Sequence, residues 1–467
     1  MPDENIRFHI RTVAPIHIGC DDSYEPMGFV VDEQNKFLCT FDPLDFIRTL
    51  PPADKIRFSA ICAKGTIESL LELYKFMRVR KHPGRKIRLC EGFLTHYAET
   101  MQLPATDRRK IQQELNRFAI ARTAFNPNTG QPYIPGSSIK GALRTAWLNK
   151  VQGERPARKD DRLKPKDQAK DLEKKLLDGG NFATDPLRML KISDFMPVGD
   201  VKTMIVYAVN EKKKLSKFGA RGLYQILEVI EPGSMFEGVI TVNKPLHDDL
   251  IENPLEIRSL IAAAMRFYGQ EIQRENRELE HIGINGVHPE IPSSGFLLRI
   301  GRHSGAESVT VAGHRSIRIM RGKDKPAINL DHATTFWLSA DDRKPTDRNM
   351  HPFGWLTVVP GPAPETAYAP EEEEPLEVSA PTAAPKPPVP EKTAAEKLLD
   401  ELALIKPDDK GRLGTIIQNI ETLPDAQDKA AIARAIRDKL GTKGYKKFKR
   451  RDYLDGLLAN AGSDDKD

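Results

Sequence analysis

The stretch YIPGSSIKGALRTAW, residues 133–147, passes from turn residues straight into a helix. Ile139, Ala142, Leu143, Ala146 and Trp147 fall at i, i+3, i+4, i+7 and i+8, so one helical face packs inward. Ser137 or Ser138 is suited to cap the start. Lys140 and Arg144, four residues apart, share the other flank, close to the end where the helix dipole favours anions. Two readings stay open on the residues alone. One is a capped helix with a solvated basic flank; the other is a phosphate site where N–H groups, serine hydroxyls and two cations meet. The GxxxxGK[ST] spacing of a nucleotide-binding loop is absent.

On the N-terminal side, IRFHIRT alternates Ile6, Phe8 and Ile10 on one face and predicts a strand. PIHIGCDDSYEP then breaks the pattern at Gly19 and predicts an exposed polar loop. Within it His17 is a candidate general base, and Asp21 or Asp22 a candidate metal ligand or water-positioning group. A structural histidine and two solvated aspartates explain the same residues. GFVVD and KFLCTFD predict two strands around the turn DEQNK. Asp42 and Pro43 open a helix in DPLDFIRTL. Helical patterns follow over 67–80 and 107–122.

On the C-terminal side, residues 153–180 are nearly all charged and predict a solvated insertion, part loop and part exposed helix. RMLKISDF and MIVYAVN are strand-like, and YQILEVIEPGSMFEGVITV reads as a hairpin turning at Glu231-Pro232-Gly233-Ser234. A long helix is expected over about 255–279. RIGRHSGAESVTVAGHRSIRIMRGK interleaves Gly301, Gly305 and Gly313 with Arg299, Arg302, His303, His314, Arg315, Arg318 and Arg321. Glycines admit close backbone approach to a polyanion, and arginines hold its phosphates; a basic hairpin on a solvated face is the competing explanation. TTFWLSA and PFGWLTVVP read as closing strands. Residues 361–392 are rich in Pro, Ala and Glu and read as a disordered linker. Residues 393–467 read as a small helical module ending in a basic tail, with six Lys or Arg over 441–451 interleaved with aromatics.

Composition narrows the class. The chain has 467 residues, 39% hydrophobic and 29% charged, with a net charge of +5. That length predicts more than one domain, and the mild basicity permits a polyanionic partner. No run approaches the roughly 20 apolar residues of a membrane span, and MPDENIRFHIRTV lacks the apolar core of a signal peptide, so no membrane role and a cytoplasmic location are expected. Cys20, Cys39, Cys62 and Cys90 form no CxxC pair, which predicts free buried thiols and no metal site. No cofactor motif is present.

In this order the motifs resemble the RAMP superfamily of CRISPR RNA-binding proteins. VAPIHIGCDDSYEPMGFVVD with DPLDFI is similar to that family's opening strand, loop and first helix. YIPGSSIKGALRTAW is similar to the helix beside the guide-RNA groove of type III subunits, LLRIGRHSGAESVTV to the glycine-rich loop, and PFGWLTVV to a closing strand. The order of all four most resembles the subunits that cap the backbone filament of Csm-type, III-A effectors near the 3′ end of the guide RNA.

The resemblance covers roughly residues 5–360. It implies an α+β fold of tandem ferredoxin-like (RRM-like) units, over 1–152 and 181–360, separated by the 153–180 insertion. It implies a non-enzymatic role in which His17, Ser137, Ser138, Lys140, Arg144, Arg299, Arg302, His303, Ser304, Arg315 and Arg318 hold RNA. The aromatic signature of a base-stacking RRM is missing. Implied partners are the guide RNA (crRNA), indirectly the target RNA, the other RAMP backbone and small subunits, and a recruited host nuclease. The alternative is a RAMP-type endoribonuclease using His17, Asp21 and Asp22.

Overall fold

The computed structural model describes residues 4–160, 162–215, 224–245, 251–321, 325–346, 348–364, 393–405, 410–421, 423, 425–446 and 448–460. It divides into two compact units, Met1–Glu373 and Glu374–Asp467. The segment expected to be a disordered linker lies outside the described residues from 365 to 392.

Two sheets organise the first unit. One runs β12 (Phe296–Arg299), β17 (Trp355–Pro360), β1 (Glu4–Thr12), β11 (Met235–Val242), β7 (Leu190–Ile192), with β8 (Met196–Val198) also on β11. The alternation read in IRFHIRT sets its centre: Phe8 and Ile10 are fully buried, and Ile10 lies opposite Phe236 on one side and Val358 on the other. Phe8 faces Gly238, where a Cβ would stand 2.7 Å from the Phe195 ring, so the missing side chain makes room for the aromatic. The second sheet runs β2 (Gly19–Ser23), β6 (Ile120–Thr123), β10 (Gln225–Ile230), β9 (Thr203–Lys212), β5 (Arg85–Leu89), β4 (Phe37–Thr40), β3 (Phe29–Asp32). To β9 is added β15 (Thr335–Ala340), which carries β16 (Met350–Pro352). A separate ribbon pairs β13 (Ile317–Ile319) with β14 (Ile328–Leu330). Strands from 1–152 and from 181–360 share both large sheets, so the two stretches form one body.

Helices cover the sheets. α1 (Pro43–Thr49) starts where Asp42 accepts from the Leu44 N–H, as expected of an N-cap. It is followed by α2 (Pro52–Lys64), α3 (Ile67–Arg78), α4 (Glu91–Met101) and α5 (Arg108–Arg117). α6 (Gly136–Glu154) buries Ile139, Ala142, Leu143, Ala146 and Trp147, the face predicted from their spacing. It packs on α8 (Ile257–His281), whose Tyr268 hydroxyl donates to the Ala142 carbonyl at 3.1 Å.

Several expectations are corrected. The stretch after Ile18 is not a loop but β2, paired with β6 across an irregular register, with Asp21 in the left-handed region at φ 57°. The helix read over 107–122 stops at Arg117, and the β-branched and apolar residues beyond it become β6. β10 and β11 are no hairpin: they lie in different sheets, because β10 is buried along nearly its whole length and sits between β9 and β6. The chain crosses between the sheets at Gly233, φ 91°, whose N–H reaches the Thr12 carbonyl at 2.7 Å. The charged insertion is not simply solvated. It forms α7 (Pro165–Leu176), and Leu172, Leu176 and Leu177 enter the main core. Of the four free thiols only Cys39 and Cys90 are buried; Cys20 and Cys62 are exposed.

The second unit holds α9 (Ala394–Leu404), α10 (Lys410–Glu421), α11 (Ala426–Lys446) and α12 (Arg451–Asn460). Thr393 and Glu396 cap α9 reciprocally, and Gly441 kinks α11 at φ 61°. Leu402, Leu413, Ile416, Ile417, Ile420, Ile432, Ile436 and Leu454 form a core of their own. The tail cations are partly paired within the unit, Arg450 with Glu421 at 3.8 Å and Arg451 with Asp452 at 2.9 Å.

Candidate nucleic-acid interface

The start of α6 is built differently from a serine-capped helix. Pro135 occupies the cap position without a side-chain hydrogen bond, and the Gly136 N–H donates to Asp194 Oδ1 at 2.9 Å. The chain therefore supplies its own anion to the first N–H of the helix. Gly136 lies so close to β7 that a Cβ would stand 2.4 Å from the Ile192 carbonyl oxygen. Ser137 is exposed and Ser138 half-buried, both inside the first turn.

Lys140 and Arg144 have separate fates. Lys140 donates to the Leu190 carbonyl at 2.7 Å, and burial, then the like charge of Lys191, lowers its pKa. Lys191 is exposed on β7 and makes no ion pair among the described residues, so the two lysines form a small cationic patch. Arg144 is paired within the chain: its guanidinium meets Glu173 of α7 at 2.5 Å and Asp185 at 3.2 Å. The charged insertion neutralises it.

The glycine-rich segment is stitched to the chain after β1. The Arg302 N–H donates to the His17 carbonyl at 2.8 Å, and the Gly354 N–H to the Pro15 carbonyl at 2.9 Å. Gly301, φ 80°, is required here, because a Cβ would stand 2.5 Å from the His17 oxygen. The side chain of Arg302 is exposed and unpaired among the described residues. His303, φ 66°, lies over Trp337 and Phe353 with centroids 4.7 and 5.4 Å away. Burial, with the nearby Arg302 charge, pushes its pKa down to about 4. Ser304 is buried and donates to the Gly301 carbonyl at 2.7 Å, closing the turn.

Arg299 is corrected outright. It is 3% exposed, paired with Glu275 at 2.7 Å and donating to the Phe353 carbonyl at 2.9 Å, with its guanidinium over Trp355. It holds the strand to α8 and cannot reach RNA. Arg315 is paired with Glu271 at 2.7 Å. Arg318 stands exposed on β13, unpaired among the described residues.

His17 is 1% exposed; its Nδ1 faces the Glu228 carbonyl at 2.8 Å, so Nδ1 carries the proton and Nε2, which has no partner among the described residues, is an enclosed acceptor. Burial lowers its pKa. Asp22 is paired with Arg122 at 3.3 Å, and Asp21 is exposed. Among the described residues no three of His, Cys, Asp or Glu are grouped to hold a metal ion.

Among the described residues of these segments, the exposed and unpaired cations include Lys191 on β7 near the α6 start, Arg302 on the glycine-rich turn, Arg318 on β13, Arg321 just after it, and Lys170 and Lys174 on α7, beside the half-buried Lys140. Sequence reasoning missed Lys191 and Lys170. Outward alternation in RMLKISDF would have found the first, and nothing distinguished the second from its charged neighbours.

The first unit is thus a mixed α+β body whose glycine-rich turn is bonded to the segment after β1, with exposed cations around it. Residues 9–284 match the RAMP superfamily, and the chain belongs to that family. It is similar to the protein named CRISPR system Cms protein Csm5 of Methanocaldococcus jannaschii, 26% identical over 251 residues, 52% of each chain. It is also similar to the protein of the same name from Streptococcus thermophilus, 25% identical over 268 residues, 53% of this chain and 66% of that one. The chain thus spans between half and two thirds of the length of these relatives. Among solved structures, a chain of a Csm–crRNA–target RNA ternary complex of a type III-A CRISPR-Cas system has a TM-score of 0.49 at 19% identity, covering 77% of this chain and 100% of that chain. The crystal structure of T. onnurineus Csm5 has a TM-score of 0.43 at 17% identity, covering 74% and 99%.

Proposed function

We propose that the chain is a non-catalytic, guide-RNA-binding subunit of a type III-A, Csm-type CRISPR ribonucleoprotein, capping its backbone filament near the 3′ end of the crRNA. The observation that carries this reading is the likeness to relatives named Csm5, together with the half-buried Lys140 on the helix, the exposed Lys191 on the neighbouring β7 and the exposed Arg302 on the glycine-rich turn. Such cations hold phosphates and carry no sequence information, which suits a subunit that leaves recognition to base pairing. The other RAMP backbone and small subunits are its partners in this reading, in which it supports crRNA maturation.

Fluorescence anisotropy with a labelled single-stranded RNA tests it. Lys140→Ala with Lys191→Ala is expected to weaken binding and to lower the salt dependence of log K by about 0.7 for each phosphate no longer neutralised. Arg144→Ala is expected to weaken binding less than the double lysine variant, because its charge is spent on Glu173 and Asp185 and only its support of α7 is lost. Equal affinity of the double lysine variant and the wild type would overturn the reading. The same RNA incubated with the protein, with and without divalent metal, is expected to stay intact. Cleavage that disappears in His17→Ala or Asp22→Ala would replace this proposal with the endoribonuclease.

A further inference from the structure

Three features that looked unrelated in the sequence converge on one cavity of about 750 Å³. Leu148 of α6 and Leu172 of α7 form part of its floor, and Val309 and Val311, from the segment after the glycine-rich turn, form the rest. Lys170 of α7 and Arg318 of β13 stand at its rim, exposed and without ion pairs among the described residues. Its walls are fixed rather than loose. Arg144 clamps α7 through Glu173, while Lys159 and Gln152 both reach His314, on its carbonyl oxygen and its ring.

The lining combines an apolar floor with cations, and its one carboxylate, Glu173, is already neutralised by Arg144. Val309 is 58% exposed, an uncovered branched side chain inside a cationic rim. A nucleotide has the complementary form: a base with two apolar faces and one phosphate at its edge. The volume falls within the roughly 300–1,000 Å³ of small-ligand pockets. We propose that this cavity takes one unstacked nucleotide of the bound RNA, its base against Val309, Val311 and Leu172 and its phosphate between Lys170 and Arg318. The inference rests on the RNA-binding reading and adds to it a discrete pocket away from the Lys140–Lys191 patch.

The full chain is titrated with 5′-AMP, adenosine and inorganic phosphate by saturation-transfer NMR, and in parallel with single-stranded RNA by anisotropy. Val309→Glu and Arg318→Ala are the variants, both at exposed side chains where the fold is undisturbed. Saturable 5′-AMP binding is expected, stronger than that of either fragment. Val309→Glu is expected to weaken it at least about tenfold, equivalent to about 1.4 kcal/mol. Arg318→Ala is expected to weaken 5′-AMP and leave adenosine unchanged. Equal 5′-AMP affinity in Val309→Glu and wild type overturns the pocket, and so does 5′-AMP binding no better than phosphate. If RNA binds while 5′-AMP does not, the pocket fails and the RNA-binding reading stands; if neither binds, both fail. If Val309→Glu spares nucleotide and RNA binding but blocks assembly with the other subunits, the face belongs to a protein and the pocket is overturned.

Discussion

Arg299 lies 2.7 Å from Glu275, and the Trp355 indole N–H donates to the other oxygen of the same carboxylate at 2.7 Å. Both charges are sealed from water, so removing one leaves the other buried and unpaired. Arg299→Ala is expected to cost about 3–5 kcal/mol in urea denaturation. Arg299→Met with Glu275→Gln, which keeps an acceptor for Trp355, is expected to recover most of that loss. A second prediction concerns the histidines. Burial, then the charge of Arg302, holds His303 near pKa 4; burial, then Arg343, holds His96 there too, and burial lowers His17. Each folded-state value lies below the roughly 6.5 of an exposed imidazole, so the native state binds fewer protons than the unfolded chain. Stability is fully present above about pH 6.5 and falls as pH drops toward about 4. Urea midpoints at pH 7.5 and 5.0 check this, and His303→Asn is expected to flatten the difference.

At the scale of elements, the Arg144 contact with Glu173 holds α7 against α6 from its polar side. Arg144→Ala is expected to speed amide hydrogen exchange across residues 165–176 while the sheets keep their protection, because the helix is then left with Leu172 and Leu176 in the core and the Lys175 bond to the Arg158 carbonyl. This contact also explains what the sequence could and could not reveal. The buried face of α6, the long α8 and the alternation of β1 follow from local periodicity, and all three were legible. The partner of Arg144 comes from a segment some thirty residues away whose charges looked uniformly solvated, and no pattern marks which one folds back. Arg299 and Arg302 are alike in the same sense: three residues apart in one basic run, one is sealed by a carboxylate from α8 and the other is open. Composition finds the basic stretch, but only long-range packing decides which of its cations reach a ligand. The crossing from β10 to β11 was hidden for a related reason, since two adjacent apolar runs around Pro-Gly have the same appearance whether they pair with each other or with other strands.

For the whole molecule, the separation of Met1–Glu373 from Glu374–Asp467 makes a sharper prediction than the linker composition did. The first unit does not end with its last strand at Pro360. The Gly361 N–H donates to the Arg7 carbonyl at 2.8 Å, and the Ala363 N–H to Glu237 Oε1 at 2.6 Å, so the chain past β17 still ties β1 to β11. A protein ending at Pro364 is therefore expected to keep the melting temperature and RNA affinity of the first unit, whereas one ending at Pro360 forms neither bond and melts earlier. The helices from α9 to α12 close a core of their own around Ile416, Ile417, Ile420, Ile432 and Ile436. A fragment of residues 393–467 is accordingly expected to show a cooperative thermal transition by circular dichroism at 222 nm. At this length a single core supplies only a few kcal/mol, roughly 3–5 by the behaviour of small domains, so Ile417→Ala, at about 2–5 kcal/mol, should abolish that transition. The same substitution in the full chain is expected to leave the transition of the first unit unmoved, because its two sheets and their helices are complete without the second unit.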